Sequence, residues 1–313
     1  MIENFIVSIN CVLPMFLILC LGLLMRRSHV VPETMFPQLS TISFRFLLPC
    51  LLFYNVYTAD LTASAQPALI SFLVLWVLLL FALSYALYTA VQRDPKRRGA
   101  YIQNAFRTNI AVVGVSLAQV MMDQEGTAAV AVAISILIPL YNVLAVFTLE
   151  SCRGGGLDRH TIIRNILRNP LILACFLGLA CMVLRIRLPS AVEHAIQSVG
   201  SAGSVTTLLA LGASFQFSGV GKNLRALVHC TLVRLFIVPF LALASAVLLG
   251  FRGNALGVIL VCTASPMAST SYPMALSCGS DHELTGQIVV TSSLLCSLSL
   301  FFWIFLLKQL GFL

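Results

Sequence analysis

The chain has 313 residues, of which 59% are apolar and only 10% are charged. Because ordinary soluble domains carry about 25% charged residues, this composition excludes a soluble globular protein. A membrane-spanning helix takes roughly 20 apolar residues, so the chain has room for about ten such helices and none for a separate catalytic domain. The net charge of +8 therefore relates to membrane topology and does not indicate a nucleic-acid partner.

Ten apolar runs, bounded by charged residues, glycine or proline, predict ten transmembrane helices. The first half of the chain contains the runs Phe5–Met25, Leu39–Tyr57, Pro67–Val91, Tyr101–Met122 and Gly126–Leu149. The second half contains the runs Leu167–Leu188, Ala195–Phe217, Leu224–Leu249, Ala255–Leu276 and Gln287–Leu307. We therefore expect an all-α membrane protein, with a first five-helix unit at residues 1–149, a cytoplasmic linker at 150–166 and a second five-helix unit at 167–313.

The lysine and arginine residues concentrate in alternate connections of this predicted topology, which all lie on the same side of the membrane. The connections after helices one, three, five, seven and nine hold 12 of the 19 basic residues, whereas the other side holds four. Because cytoplasmic connections are enriched in lysine and arginine, both termini are expected on the non-cytoplasmic side. We expect a multi-pass protein of the plasma membrane, which in a bacterium is the inner membrane.

Two short patterns repeat between the halves. Pro14 and Gly22 recur as Pro170 and Gly178, and the pattern Asp-x-Glu-x-Thr that begins at Asp123 recurs 158 residues later. Each predicted half has an odd number of helices, so the halves would lie in opposite orientations. Inverted repeats of this kind are typical of secondary transporters.

The fourth and ninth helices are the most polar. The fourth contains Gln103, Asn104, Arg107 and Asn109, and the ninth contains two prolines within a cluster of hydroxyl side chains. Proline removes a backbone donor, and broken helices in matching positions of inverted halves indicate a substrate site near the midplane. The alternative is that the prolines only kink the helix and the hydroxyl groups bond to their own backbone.

All eleven acidic residues lie in connections or at the ends of the runs. This distribution disfavours a cation substrate or a carboxylate proton relay and favours an anion. Arg45 and Arg107 could be anion partners, although we favour the interpretation that both extend to lipid headgroups from about 9 Å inside the bilayer. Arg234 lies deeper and could bind an anion or backbone carbonyl groups. The sequence contains no enzyme motif and no metal-ligand spacing, so no enzyme activity, cofactor or metal is expected.

Several short motifs, in order along nearly the whole chain, resemble the auxin efflux carrier family. They are Val12-Leu13-Pro14 with Gly22, Arg26-Arg27, Phe44 to Phe53, Asn109 with Gly114, Ile138 to Leu144, Leu211 to Phe215, Arg234 to Pro239 and Ser265-Pro266. The resemblance implies ten helices in two inverted repeats, with broken helices four and nine crossing at the substrate site. The fold would be similar to that of bile-acid symporters and would work as an elevator-type dimer, with a scaffold of helices one, two, six and seven. Family members commonly have a proline after the glycine of helix four, whereas Val115 and Ser116 follow Gly114 here, so Gly114 alone would have to loosen this helix.

By the resemblance, Asn109 matches the polar residue of the first crossing, Pro266 or Pro273 the second crossing, and Asn142 the polar position of helix five. With the polar residues of the two broken helices, the candidate substrate-binding residues are Asn109, Thr108, Gly114, Asn142, Pro266, Ser269, Thr270 and Pro273, and the arginines inside the runs make Arg107 and Arg45 candidate anion partners. Family substrates include indole acetic acid and, in bacteria, malonate or malate. We expect a secondary carrier that exports or exchanges a small carboxylate. The alternatives are a sodium-coupled organic-anion symporter and a membrane receptor that binds its ligand without moving it.

Overall fold

The computed structural model describes residues 2–29, 31–58, 66–153 and 159–313. Two of the acidic residues assigned to connections, Asp60 and Asp158, lie outside the described residues. Fifteen α-helices and no strand are present in the described ranges, so the predicted all-α class is confirmed. In chain order the helices are α1 (Ile2–Arg27), α2 (Met35–Ile42), α3 (Leu48–Tyr57), α4 (Pro67–Val91), α5 (Pro95–Phe106), α6 (Val115–Met121), α7 (Gln124–Ser151), α8 (Arg159–Leu167), α9 (Pro170–Val183), α10 (Ser190–Ser214), α11 (Val220–Leu232), α12 (Val238–Leu248), α13 (Gly253–Ala264), α14 (Ser271–Cys278) and α15 (His282–Gln309).

Five helical segments of the described chain are long and apolar enough to cross a bilayer. They are Met35–Tyr57, Pro67–Val91, Gln124–Ser151, Val220–Leu248 and His282–Gln309. Three apolar helical segments are shorter, namely Ile110–Met121, Pro170–Val183 and Gly253–Ala264. The segments overlap the predicted runs, but the count of ten crossings and the orientation of the termini stay predictions. The predicted linker is partly helical, because α8 begins at Arg159.

Two of the continuous segments contain a π-helical turn close to a proline. In the second of these segments, Val233–Ile237 is π-helical and Pro239 follows at the start of α12. The carbonyl group four residues before a proline has no backbone donor. Here that carbonyl belongs to Leu235, and it accepts a hydrogen bond of 2.9 Å from Nε1 of Trp303 in α15. The proline therefore distorts the helix without leaving a buried acceptor unpaired.

The helices pack in two groups. The scaffold group consists of α1, α2, α3, α9 and α10, and the core group consists of α4 to α7 and α11 to α15. Helix α1 of the scaffold group also packs along α15 of the core group, and the short helix α8 contacts α7 and α9. Glycines bring the scaffold helices close together, since a Cβ atom on Gly22 of α1 would overlap the carbonyl oxygen of Leu209, and one on Gly212 of α10 would overlap that of Leu19. Gly178 and Gly200 likewise face the backbone of α3. These glycines serve packing within one chain.

The core group repeats itself at an offset of 158 residues. Helices α5 and α13 both have 12 residues, α7 and α15 both have 28, and each helix of the second pair begins 158 residues after its counterpart. Asp123 caps α7 by accepting from the backbone N–H of Gly126, and Asp281 caps α15 in the same way. The bond from Gly126 and one from Asn254 lower the pKa of the Asp123 carboxyl. Matching helices thus support the predicted repeat within this group.

Candidate functional site

Two helices of the core group are broken, and their breaks face each other. Helix α5 ends at Phe106 and α13 ends at Ala264, and each is followed by extended residues before the next helical segment. The backbone N–H of Asn109 donates a hydrogen bond of 2.8 Å to the carbonyl oxygen of Pro266. Thr108 and Met267 form an antiparallel backbone bridge. The polar fourth segment and the proline-containing ninth segment therefore meet, and we call this contact the crossing.

The break in the fourth segment does not lie at Gly114. That glycine is inside a π-helical turn, Ile110–Gly114, and a Cβ atom there would be 3.1 Å from Val261. The helix instead ends at Phe106, and the next residue, Arg107, is extended with a ψ of 115°. No proline is needed for the break, because partners across the crossing satisfy the backbone groups that it releases.

Arg234 holds the carboxyl-terminal ends of both broken helices. Its guanidinium is fully buried, and it donates to the carbonyl oxygen of Ala105 in α5 at 2.9 Å and to that of Thr263 in α13. The two acceptors are 158 residues apart and are equivalent in the two halves. A cation at a helix carboxyl terminus is favourable because unpaired carbonyl groups accumulate there. Of the two roles considered for Arg234, the structure thus supports the binding of carbonyl groups.

Arg107 is the second buried cation at the crossing. Only 2% of the residue is exposed, so the interpretation that it extends to lipid headgroups is wrong. Nη1 donates to Oε1 of Gln103 at 3.1 Å and contacts the sulfur of Met274. Nη2 donates at 2.8 Å to both Oδ1 of Asn142 and Oγ1 of Thr270. Among the described residues, neither Arg107 nor Arg234 forms an ion pair, so neutral groups surround both positive charges.

A cavity of about 60 Å³ opens beside the crossing. It is lined by five candidate residues of the sequence analysis, namely Arg107, Thr108, Asn109, Asn142 and Thr270. Leu48, Leu51, Leu52 and Asn55 of α3 form the opposite wall, so the cavity lies between the core group and the scaffold group. A water molecule takes about 30 Å³ of the liquid. The cavity could therefore hold a carboxylate group, and a whole metabolite would require the groups to separate.

The other candidate residues lie outside this lining. Pro266 is buried in the extended segment of the crossing and Ser269 in the turn before α14, and the backbone carbonyl group of each accepts a hydrogen bond. Pro273 is in the first turn of α14, a position that proline tolerates. Arg45 is exposed on the π-helical turn before α3.

Four polar or sulfur-containing neighbours were not among the candidates. Gln103 and Met274 hold the inner side of the Arg107 guanidinium. The hydroxyl group of Tyr141 accepts from Thr108 at 3.2 Å, and Asn55 lines the cavity from the scaffold side. Asn55 could have been found, because it is a lone amide in an otherwise apolar run. Met274 gave no signal, since methionine is common in apolar helices.

A second cavity, of about 250 Å³, opens between α1, α10, α14 and α15. Its lining includes Arg26, Glu33, Gln287 and Tyr272, and Tyr272 lies two residues beyond Thr270 of the crossing. Its size approaches that of common small-molecule pockets. We call it the vestibule.

Comparison with known proteins bears on the activity of this site. No curated protein matches the chain by sequence. Among solved structures, the chain is similar to the sodium/proton antiporter MjNhaP1 from Methanocaldococcus jannaschii, with a TM-score of 0.62, 12% identity and coverage of 92% of each chain. At this identity the likeness concerns the fold alone.

The sequence also matches a family model described as membrane transport protein, over residues 7–156 and 157–304. These two ranges cover almost the whole chain and include the crossing and both buried arginines. The protein is thus a multi-pass secondary transporter of the membrane. It belongs to the membrane transport protein family, the auxin efflux carriers that its sequence motifs resemble.

Proposed function

We propose that the protein carries a small organic anion, bound by its carboxylate at the crossing. The observation that carries this proposal is the Arg107 guanidinium, which is buried, has only neutral partners and lies beside a cavity. Arginine stays charged in proteins, and its guanidinium matches the geometry of carboxylates. A carboxylate at this position would supply the negative charge that the neutral partners of Arg107 lack.

The two terminal nitrogen atoms of the Arg107 guanidinium have different surroundings. Nη1 faces the protein interior, and Nη2 faces the cavity that would receive an anion. Gln103 and Met274, which contact Nη1, do not line the cavity, whereas Asn142 and Thr270, which contact Nη2, do. An anion would therefore approach Nη2 and replace one of two neutral acceptors. The Thr270 hydroxyl group could then turn and donate to the same carboxylate.

Movement of the core group against the scaffold group would carry the anion across the bilayer. The cavity lies between the two groups, and the hydrogen-bond partners of Arg107 all belong to the core group. A shift of the core group would therefore take the bound anion with it. This is an elevator-type mechanism. An inside-negative potential would drive the export of an anion, because moving one elementary charge through 100 mV is worth about 2.3 kcal/mol.

Flux in proteoliposomes tests the proposal. Labelled malonate, malate and indole acetate are offered with an imposed potential, and the wild-type protein is compared with Arg107→Gln, Asn109→Ala and the control Arg225→Gln. Arg225 is an exposed residue of α11, outside the cavity lining. A hydrogen bond to a charged group is worth about 1.5–3 kcal/mol, so Arg107→Gln should raise KM for the transported anion by roughly 10- to 100-fold.

The outcomes separate the proposal from its alternatives. Flux of one carboxylate that responds to the potential and is lost in Arg107→Gln, but not in Arg225→Gln, supports the anion carrier. Flux that the potential leaves unchanged excludes uniport. Saturable binding without any flux favours a receptor.

A sodium-coupled symporter is the second candidate, and the fold likeness to a sodium/proton antiporter favours it. Oxygen ligands for sodium would have to come from amide, hydroxyl and carbonyl groups near the crossing. Replacement of sodium by potassium in the same flux measurement should abolish uptake if this candidate is correct.

A further inference from the structure

We infer that the membrane potential acts mainly on the return of the unloaded core group, because Arg107 and Arg234 travel with it as two fixed positive charges. This inference rests on the proposed function, since it requires the core group to move with a bound anion. The inference identifies the return of the unloaded core group as the step of the transport cycle that moves the most charge across the membrane.

Both guanidinium groups are bound entirely within the core group. The acceptors of Arg107 are in α5, α7 and at the start of α14, and those of Arg234 are the ends of α5 and α13. In the described part of the chain, no hydrogen bond joins either guanidinium group to α1, α3, α9 or α10. Any movement of the core group relative to the scaffold group therefore moves both charges by the same distance.

The two charges lie deep in the protein. Helices α5 and α13 have 12 residues each, so the crossing lies about 18 Å from the outer ends of these helices. Both arginines are almost fully buried at this depth. Since the potential falls across the low-dielectric layer, charges at the crossing move through the electric field, whereas charges near the surface remain close to water.

Anion binding reduces the charge that moves. The two arginines give the unloaded core group two positive charges at the crossing, a monocarboxylate leaves one, and a dicarboxylate leaves none. The unloaded step therefore carries more charge than the loaded step for either kind of substrate. An inside-negative potential draws the unloaded group towards the cytoplasmic position, which prepares the carrier for the next export.

Charge displacement without substrate tests this inference and does not require the substrate to be known. Cells that express the full chain are voltage-clamped in solutions with chloride as the only small anion, and transient currents are recorded after voltage steps. The wild-type protein should give a saturating charge displacement that is missing from cells without the protein. In Arg107→Gln the steepness of its voltage dependence should fall to about half, because one of two charges remains.

Two variants control for loss of folding and for the removal of any positive charge. Arg107→Lys keeps the charge and should keep the steepness, although its anion affinity should fall because lysine lacks the planar guanidinium. Arg225→Gln removes an exposed charge from the same core group and should leave the steepness unchanged. If Arg107→Gln fails to reach the cell surface, the wild-type displacement is measured again with saturating malonate, malate or indole acetate, whichever the flux measurement shows to be transported, and should shrink.

The results distinguish the inference from the proposed function. Carboxylate flux without any substrate-free charge displacement overturns the inference and leaves the carrier in place, as does an unchanged steepness in Arg107→Gln. Absence of flux for the whole panel, together with absence of charge displacement, overturns both.

Discussion

At the scale of single residues, the two buried arginines have different roles. Arg234 binds the carbonyl oxygens of Ala105 and Thr263, which no helix continues to satisfy. The donors that would have reached them in unbroken helices bond elsewhere, since Asn109 donates to Pro266 and Met267 to Ser292. Arg234 is therefore a structural cation, whereas Arg107 has its Nη2 partners in the wall of a cavity.

Replacement of Arg234 by methionine should destabilise the protein more than replacement of an exposed arginine. Arg234→Met keeps much of the side-chain volume but leaves two buried carbonyl groups without a donor, at about 1–3 kcal/mol for each. Thermal unfolding in detergent measures the loss, with Arg225→Met as the matched control. Equal unfolding temperatures for the two variants would contradict the structural role of Arg234.

The interpretation that Arg107 extends to lipid headgroups was wrong because the sequence does not show what surrounds a single residue. Arg107 lies about six residues from the end of its predicted helix, a distance from which the side chain of a lipid-facing residue reaches headgroups. The structure differs because α5 is surrounded by other helices, and residues 102–110 are all buried. Distance along one helix is readable from the sequence, but the presence of neighbours on every side of a broken helix is not.

At the scale of helices, apolar runs and charge placement were sufficient to locate most segments. Pro67–Val91 has the predicted bounds, and the ends of the other described segments differ from those of the predicted runs by at most six residues, apart from the two internal breaks. The site was predicted in part, since five of ten candidate residues line the cavity. Asn109 was expected at the first crossing and lies there, but the loosening of the helix was attributed to Gly114, whereas bonds to the other half of the chain stabilise a break directly after Phe106.

Close contact between α1 and α10 depends on glycine. A Cβ atom on Gly22 would overlap the backbone of α10, so Gly22→Ala should push the two helices apart and cost about 1–3 kcal/mol as overpacking does. The measurement is again the unfolding temperature in detergent. Gly221→Ala in α11 is the control, because nothing lies within 4 Å of a Cβ atom there, and alanine favours helix by about 1 kcal/mol. A lower unfolding temperature for the control than for Gly22→Ala would contradict the packing argument.

At the scale of the whole molecule, the crossing, the cavity and the vestibule lie where the core group meets the scaffold group. A rigid receptor and a moving carrier share this geometry in a single structure. They differ in whether the boundary between the groups must slide. At the rim of the vestibule, Gln287 of α15 donates to the carbonyl oxygen of Gln216, which follows α10 of the scaffold group. Nearby, Arg26 and Glu33 form an ion pair of 3.0 Å within the scaffold group.

These two pairs allow a matched test of sliding. A reducible bifunctional thiol reagent applied to the double variant Gln216→Cys with Gln287→Cys would tie the groups together, and we expect it to abolish carboxylate flux until a reductant restores the thiols. The same reagent applied to Arg26→Cys with Glu33→Cys ties only scaffold residues and should leave most of the flux. The single variants account for reaction of the native cysteines, most of which are buried. Full flux through the first cross-linked pair would contradict an elevator-type movement, because a carrier whose groups are fixed to each other cannot transfer the crossing from one side of the bilayer to the other.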